Sequence, residues 1–569
     1  MTNSLSEQVL NLFLLNDLQR SAAIERGRDV AVTAGAGSGK TRTLVARYAC
    51  LLAEGVEPRR IAAITFTTKA AMKMRSKVRK SLAELERQAR DPEERQKWSH
   101  LSAQIDSARI GTIHSLCAEI LRNHPAEAGL DPRFEVLDEG LSAALKRRAV
   151  EDTLNQLVED EKFMPLLANI PLRDLKQLLN DLLDKRFDAQ EIFEKKVDNH
   201  AYILNDLNQK LRSPLIEPYI QKLWEVSFTE IEEDFGFEFA ESVQLFREQW
   251  SRAEDALLAN DPINCVIHLY NARHSFPDLR KGKRDSSFKK VLSELRANFD
   301  LILQPVTHGS RSEDLPPSEE EEILAESLLP LLRDAFNLVH QAYQNMLQKR
   351  QALDFDDLEY SAQQLLKRED IRQRWQQELD AVMVDEYQDT NQRQRDIVNA
   401  LAGKRGCLFM VGDMRQSIYR FRNADVTVFR DEQERIKREN GFLVDLDLTY
   451  RQHEPLLNVM SDILAYTIGT QEDPTRKYFV PFTPMVASTK EQPAHIQSPH
   501  VEFVIGVGSD TSTARPVAAR ALVARLIELN KEDQIKKWDD VALLFRASTG
   551  FSYYEEALEE AGIPFVTVA

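Results

Sequence analysis

The sequence reads as an α/β protein whose parallel sheet is split by a long all-helical insertion. Three observations predict this. Short β-branched runs, each followed by a helical pattern, open the chain and return after residue 380. Between them, residues 141–350 hold three of the 20 glycines (Gly236, Gly282, Gly309) and carry Leu, Glu, Gln, Lys and Arg at three-to-four spacing. Beyond about Leu446 further strand-like runs begin a second α/β unit. The expected organisation is a first α/β domain at 1–125, a helical insertion at 126–350, a return to the first domain at 351–440, and the start of a second at 441–569.

Taken in order, DVAVTA (Asp29 to Ala34) and IAAITFT (Ile61 to Thr67) are the first strands. AVMVDE (Ala381 to Glu386), GCLFMVGD (Gly406 to Asp413) and FLVDLDL (Phe442 to Leu448) repeat the signature. Such apolar runs alternating with helices suit parallel strands buried on both faces. The acidic, proline-bearing stretch Pro305 to Glu322 is expected as a loop within the helical region. VEFVIGVG (Val501 to Gly508) and VALLFRA (Val541 to Ala547) are expected as strands of the second unit.

Composition bounds the class without choosing a function. A length of 569 residues corresponds to roughly three or four domains. The net charge of −17 points away from nucleic acid, yet phosphate contact needs only a local cationic track. No apolar run is long enough to span a membrane, and the N-terminus lacks a basic region followed by a cleavage site. Cys50, Cys117, Cys265 and Cys407 are far apart and form no CxxC pair. That argues against zinc or iron–sulfur chemistry and fits a reducing cytoplasm, the expected location.

Chemistry enters with Ala34-Gly35-Ala36-Gly37-Ser38-Gly39-Lys40-Thr41, set between a strand and a helix. Glycines let consecutive N–H groups face phosphate oxygens, and the helix N-terminus adds a favourable dipole. Lys40 would reach the β- and γ-phosphates and the Thr41 hydroxyl a magnesium ion, with Arg42 next to the bound nucleotide. Ala34 stands where the usual first glycine does. Asp385 and Glu386 end an apolar strand, where Asp385 can join the Mg²⁺ shell and Glu386 can take a proton from the attacking water. An Asp-Glu pair alone is commonly a solvated loop; following a buried strand in a chain with a phosphate loop, it completes a nucleotide hydrolase.

Asp385-Glu386-Tyr387-Gln388-Asp389-Thr390 resembles the DE-aromatic-QD box of UvrD/Rep-type superfamily 1 helicases, and further motifs follow in that family's order. Asn16-Asp17-Leu18-Gln19-Arg20 is similar to its adenine-reading element, which implies Gln19 at the base. Ile64-Thr65-Phe66-Thr67 with Lys69-Ala70-Ala71, and Gly111-Thr112-Ile113-His114-Ser115, resemble its DNA-contacting elements. Thr65, Phe66, Thr112 and His114 are the implied contacts. In Val411 to Tyr419 the resemblance implies Gln416 as γ-phosphate sensor and Tyr419, Phe421 and Arg422 facing DNA. Leu448-Thr449-Tyr450-Arg451 implies Tyr450 stacking on adenine and Arg451 reaching the γ-phosphate. The family further implies RecA-like motor domains, ATP and Mg²⁺, 3′-to-5′ movement, and single-stranded DNA and its junctions with duplex as partners. Phe66, Tyr419 and Phe421 suit sequence-independent stacking.

Tyr419 to Asp425, Thr112 to Cys117, Asp354 to Leu358 and the long insertion resemble the AddA/RecB helicase–nuclease branch, with Asn423 where that branch has glycine. The resemblance implies repair or recombination and a partner subunit. The sequence stops at Glu560 to Ala569, before the family's last two helicase motifs and any nuclease segment, so either a fragment or a truncated gene is expected, in which nucleotide binding outlasts coupled hydrolysis. A competing reading is a nucleotide-gated DNA-binding arm without productive unwinding. Arg280 to Arg284 with Phe288-Lys289-Lys290 is either a duplex grip or a solvated loop.

Overall fold

The computed structural model describes residues 2–194, 199–279, 287–307, 319–420, 424–472, 478–492, 496 and 498–568. Two compact units emerge, one comprising Met1–Leu116, Gln363–Asp473 and Tyr478–Ala569, the other Cys117–Ala362 with Pro474–Lys477. In chain order the strands among the described residues are β1 (Val30–Ala34), β2 (Ile61–Thr65), β3 (Ile110–Thr112), β4 (Glu135–Val136), β5 (Ala352–Leu353), β6 (Ala381–Val384), β7 (Leu408–Gly412), β8 (Phe442–Leu446), β9 (Leu448–His453) and β10 (Val486–Thr489).

In the first unit six strands form one sheet in the order β3-β2-β6-β7-β1-β8, every pair parallel. The continuous apolar runs have their cause here. Strands β2, β6 and β7 are buried at every residue. Helix Lys40–Ala53 is buried from Thr43 onward, so it belongs to the core rather than to one wall of it. Inside it, the Arg47 guanidinium lies over the Phe409 ring at 4.6 Å and donates to the carbonyls of Ala22 and Glu25. Burial pulls its pKa down to about 9.

The second unit is helical, with two apolar clusters. One gathers Leu145, Leu154, Leu175, Leu179 and Phe336; the other gathers Phe239, Phe246, Trp250 and Phe299. Strands β4 and β5 pair in parallel, Glu135 against Ala352 and Val136 against Leu353. Immediately after β5, Asp354 and Asp357 meet a buried arginine. Arg186 approaches the Asp354 carboxylate at 2.5 Å, Asp357 at 2.9 Å and Asp356 at 3.1 Å. Tyr343 also donates to Asp354 at 2.7 Å. Burial pushes the Asp357 carboxyl up; against the same push, Arg186 holds Asp354 low.

Several expectations need correction. Residues 501–508 and 541–547 form no ladder. A strand needs a neighbouring strand's N–H and C=O groups, and these runs pair with none; Phe503, Ile505, Val507 and Leu544 face solvent instead. The loop expected at 305–322 is narrower. Helices Ser287–Thr307 and Glu319–Arg350 take both ends, since glutamates in a first helical turn are favoured by the helix dipole, and 308–318 lie outside the described residues. The two compact units divide at 116/117 and 362/363. Strand β8 hydrogen-bonds β1 within the first sheet. All four cysteines are buried free thiols. No helix among the described residues is long and apolar enough to cross a membrane.

Truncating Arg186 strands buried carboxylates. Arg186→Ala is expected to destabilise the helical unit by about 3–5 kcal/mol, read as a lower urea midpoint. An unchanged midpoint would show that the cluster is not holding β4 and β5.

Candidate nucleotide and DNA site

Parallel sheets bind ligands beyond the carboxyl ends of their strands, and the motif residues collect there. Gly37 and Gly39 follow β1 with φ of +79° and +88°, and Gly39 caps helix Lys40–Ala53. Only glycine fits well: a Cβ on Gly37 would stand 2.6 Å from the Thr449 hydroxyl, and one on Gly39 2.6 Å from the Gln19 amide. Glu386 follows β6 with φ of +52°, a left-handed conformation that costs a non-glycine residue energy and is found at functional sites.

The Lys40 ammonium donates to Glu386 Oε2 at 2.8 Å and to Gln416 Oε1 at 3.1 Å. Gln416 Nε2 donates to Asp413 Oδ2 at 2.8 Å. The Asp413 N–H donates to Gln388 Oε1 at 2.9 Å, and Gln388 Nε2 returns to Glu386 Oε2 at 2.9 Å. Five residues after β1, β6 and β7 thus form a closed hydrogen-bonded ring. Both glutamine orientations are fixed by their partners: an N–H or ammonium must face oxygen, and a carboxylate must face the amide nitrogen.

Asp385 is pushed up to about 6 by burial and by the adjacent Glu386 charge, with Lys40 opposing. Asp389 is pushed up to about 7 by the same two causes, and its Oδ1 is buried with no partner among the described residues. The donor set suits a divalent cation: Asp385 is a carboxylate crowded by another, and no described protein group bonds the Thr41 hydroxyl.

On the nucleotide side, Gln19 is fully buried. Its Nε2 donates to the Ser38 carbonyl at 2.8 Å and its Oε1 accepts from the Asn16 N–H at 3.1 Å. Both amide atoms are occupied within the protein, so in this state Gln19 braces the phosphate loop. The Tyr450 N–H donates to the Gly37 carbonyl and the Thr449 hydroxyl to that of Ala36. Arg42 lies 5.5 Å from the Tyr450 ring centroid, and Asn16 donates to the Tyr450 hydroxyl. Arg451 is exposed beside Gly37. Gly35, Ala36 and Ser38 line the loop's turn, where the buried Ser38 hydroxyl is without a partner among the described residues.

The DNA-contact candidates divide. Phe66 and Tyr419 pack against each other, centroids 4.5 Å apart. Thr65 is buried and its hydroxyl donates to the Thr67 carbonyl; Thr112 lies across from it in register and accepts from the Ser115 N–H. His114 is half-buried. Phe421, Arg422 and Arg280 to Arg284 lie outside the described residues. The roles of Gln388 and Asp413 carried no sequence signal of their own.

The profile of the UvrD/REP helicase N-terminal domain matches residues 15–437. Among curated proteins, similar relatives are each described as a subunit of an ATP-dependent helicase/nuclease. That of Pediococcus pentosaceus is 27% identical over 468 residues, covering 74% of this chain and 36% of the relative. That of Syntrophomonas wolfei is 28% identical, covering 80% and 38%, and that of Streptococcus suis 26%, covering 96% and 47%. The chain spans less than half the length of these relatives.

Folding holds Asp389 above the usual carboxyl value of about 4. Its contribution to stability is complete below that value and is lost as pH rises through about 7. Asp389→Asn is therefore expected to raise the urea midpoint of the ligand-free chain at pH 8 and leave it unchanged at pH 4. Equal gains at both pH values would overturn this account.

Proposed function

The chain belongs to the UvrD/REP helicase family, and from that premise we propose that it hydrolyses ATP and couples turnover to 3′-to-5′ movement on single-stranded DNA. The observation that carries this is the convergence of Lys40, Glu386 and Gln416, from three strand ends, on one ammonium group. The six-stranded sheet would be a RecA-like motor domain, residues 117–362 its helical insertion, and the residues from β9 onward the start of a second motor domain.

When ATP enters, Lys40 transfers from Glu386 and Gln416 to the β- and γ-phosphates. Glu386 is then free to accept the proton of the attacking water, while Gln416 and the exposed Arg451 face the γ-phosphate. Tyr450, with Arg42 and Asn16 around it, offers the base a stacking face. Thr41 and Asp385 would hold Mg²⁺, whose charge offsets that of the phosphates. A DNA base would enter against Phe66 and Tyr419, and Tyr419 is three residues from Gln416. The relatives' descriptions as a subunit of an ATP-dependent helicase/nuclease support a place in such a complex with a partner subunit, and the sequence resemblance would place its action in repair or recombination.

A second reading, a nucleotide-gated DNA-binding arm, is favoured by one observation: the polar atoms of Gln19 and the Lys40 ammonium all have protein partners in the ligand-free fold. Phosphate release with and without oligo(dT) separates the two. Lys40→Ala should abolish DNA-stimulated release, Glu386→Gln should lower kcat by about 10²–10⁴-fold with ATP binding retained, and Phe66→Ala should weaken oligo(dT) binding by about 1–3 kcal/mol. A chain that binds oligo(dT) without stimulated release supports the second reading; one that binds neither ATP nor DNA overturns both.

A further inference from the structure

The proposed mechanism takes Lys40 and Gln416 out of the five-membered ring, because both turn to phosphate. What ATP leaves behind is the segment Glu386–Gln388–Asp413. Gln388 is 2% exposed and its amide is used at both ends: Nε2 donates to Glu386 Oε2, and Oε1 accepts from the Asp413 N–H. Its backbone carbonyl also accepts from the Ser417 hydroxyl at 3.1 Å. Gly412 leaves the room this needs, since a Cβ there would stand 2.7 Å from Gln388 Oε1.

We infer that Gln388 is a positioning residue, which orients Glu386 for catalysis and ties it to the Asp413–Tyr419 loop that would touch DNA. Resting on the ATP-driven DNA motor reading above, this names the part of the site that carries DNA occupancy to the general base. Two features set its action. By donating to Oε2, Gln388 leaves Oε1 as the Glu386 oxygen open to water. By accepting from a backbone N–H of the loop, it moves when the loop moves, whatever side chain the loop presents to phosphate. Any displacement of Tyr419 by a DNA base thereby reaches Glu386 through two hydrogen bonds and without the nucleotide.

The test uses the 569-residue chain, comparing wild type with Gln388→Met and Gln388→Glu. Methionine keeps the volume and removes the amide's bonds to Glu386, to Asp389 and to the Asp413 N–H. Glutamate keeps an oxygen for the Asp413 N–H and replaces the donor to Glu386 and Asp389 by a second carboxyl oxygen, so it serves if the methionine variant fails to fold. Melting temperature and affinity for a fluorescent ATP analogue are recorded alongside phosphate release with and without oligo(dT). The expected result is kcat with DNA reduced at least tenfold, KM for ATP changed less than twofold, and the ratio of stimulated to unstimulated rates reduced several-fold. A merely structural role scales both rates equally and leaves that ratio intact, which would overturn the inference, as would a fully active variant. A wild-type chain with no DNA-stimulated hydrolysis would instead overturn the motor reading on which the inference rests.

Discussion

The site depends on one ammonium group. Lys40 is tethered to a rigid helix start, yet its partners come from loops after two other strands, and its charge keeps Glu386 and the acidic neighbours Asp385 and Asp389 close together. Asp385 and Asp389 are already pushed upward by burial and by the Glu386 charge; without a cation nearby the carboxylates that follow β6 would repel. A nucleotide with its metal would replace one cationic arrangement by another. On the proposed reading the ring is a closed state that ATP would open, and the glycines at 37 and 39 keep the space into which phosphates would come.

How much of this was legible in the sequence follows from how local each signal is. The phosphate loop was readable because strand, glycines, lysine and helix are contiguous. Glu386 and Gln416 were readable because each ends an apolar run within a recognisable motif. The ring was not: Gln388 meets Asp413 only because β6 and β7 are neighbours in the sheet, and spacing along the chain says nothing about strand order. The motif around Gln19 points to the base, yet the residue's surroundings, with both amide atoms occupied, depend on the loop folding over it. Phe66 and Tyr419 were each readable as aromatic platforms, but not their packing against each other. Runs 501–508 and 541–547 had the composition of strands, but a strand is completed by its neighbour, and composition carries no information about that.

The long helical insertion raises a topological question that the short strands answer. Strands β2 and β6 are adjacent in the first sheet although more than 300 residues separate them, with the helical unit between. Closing so long a loop costs little more than closing a shorter one, since the entropy grows only with the logarithm of length. The larger requirement is that the insertion leave and return at nearby points. Pairing of β4 with β5 places residues 135–136 beside 352–353, and Arg186 then binds Asp354 and Asp357 just beyond. The two ends of the helical unit are thus held together by its own backbone bonds and a buried ion cluster. A unit that closes on itself in this way can be large without asking the six-stranded sheet to constrain it, and the ring around Lys40 can be set by the sheet alone.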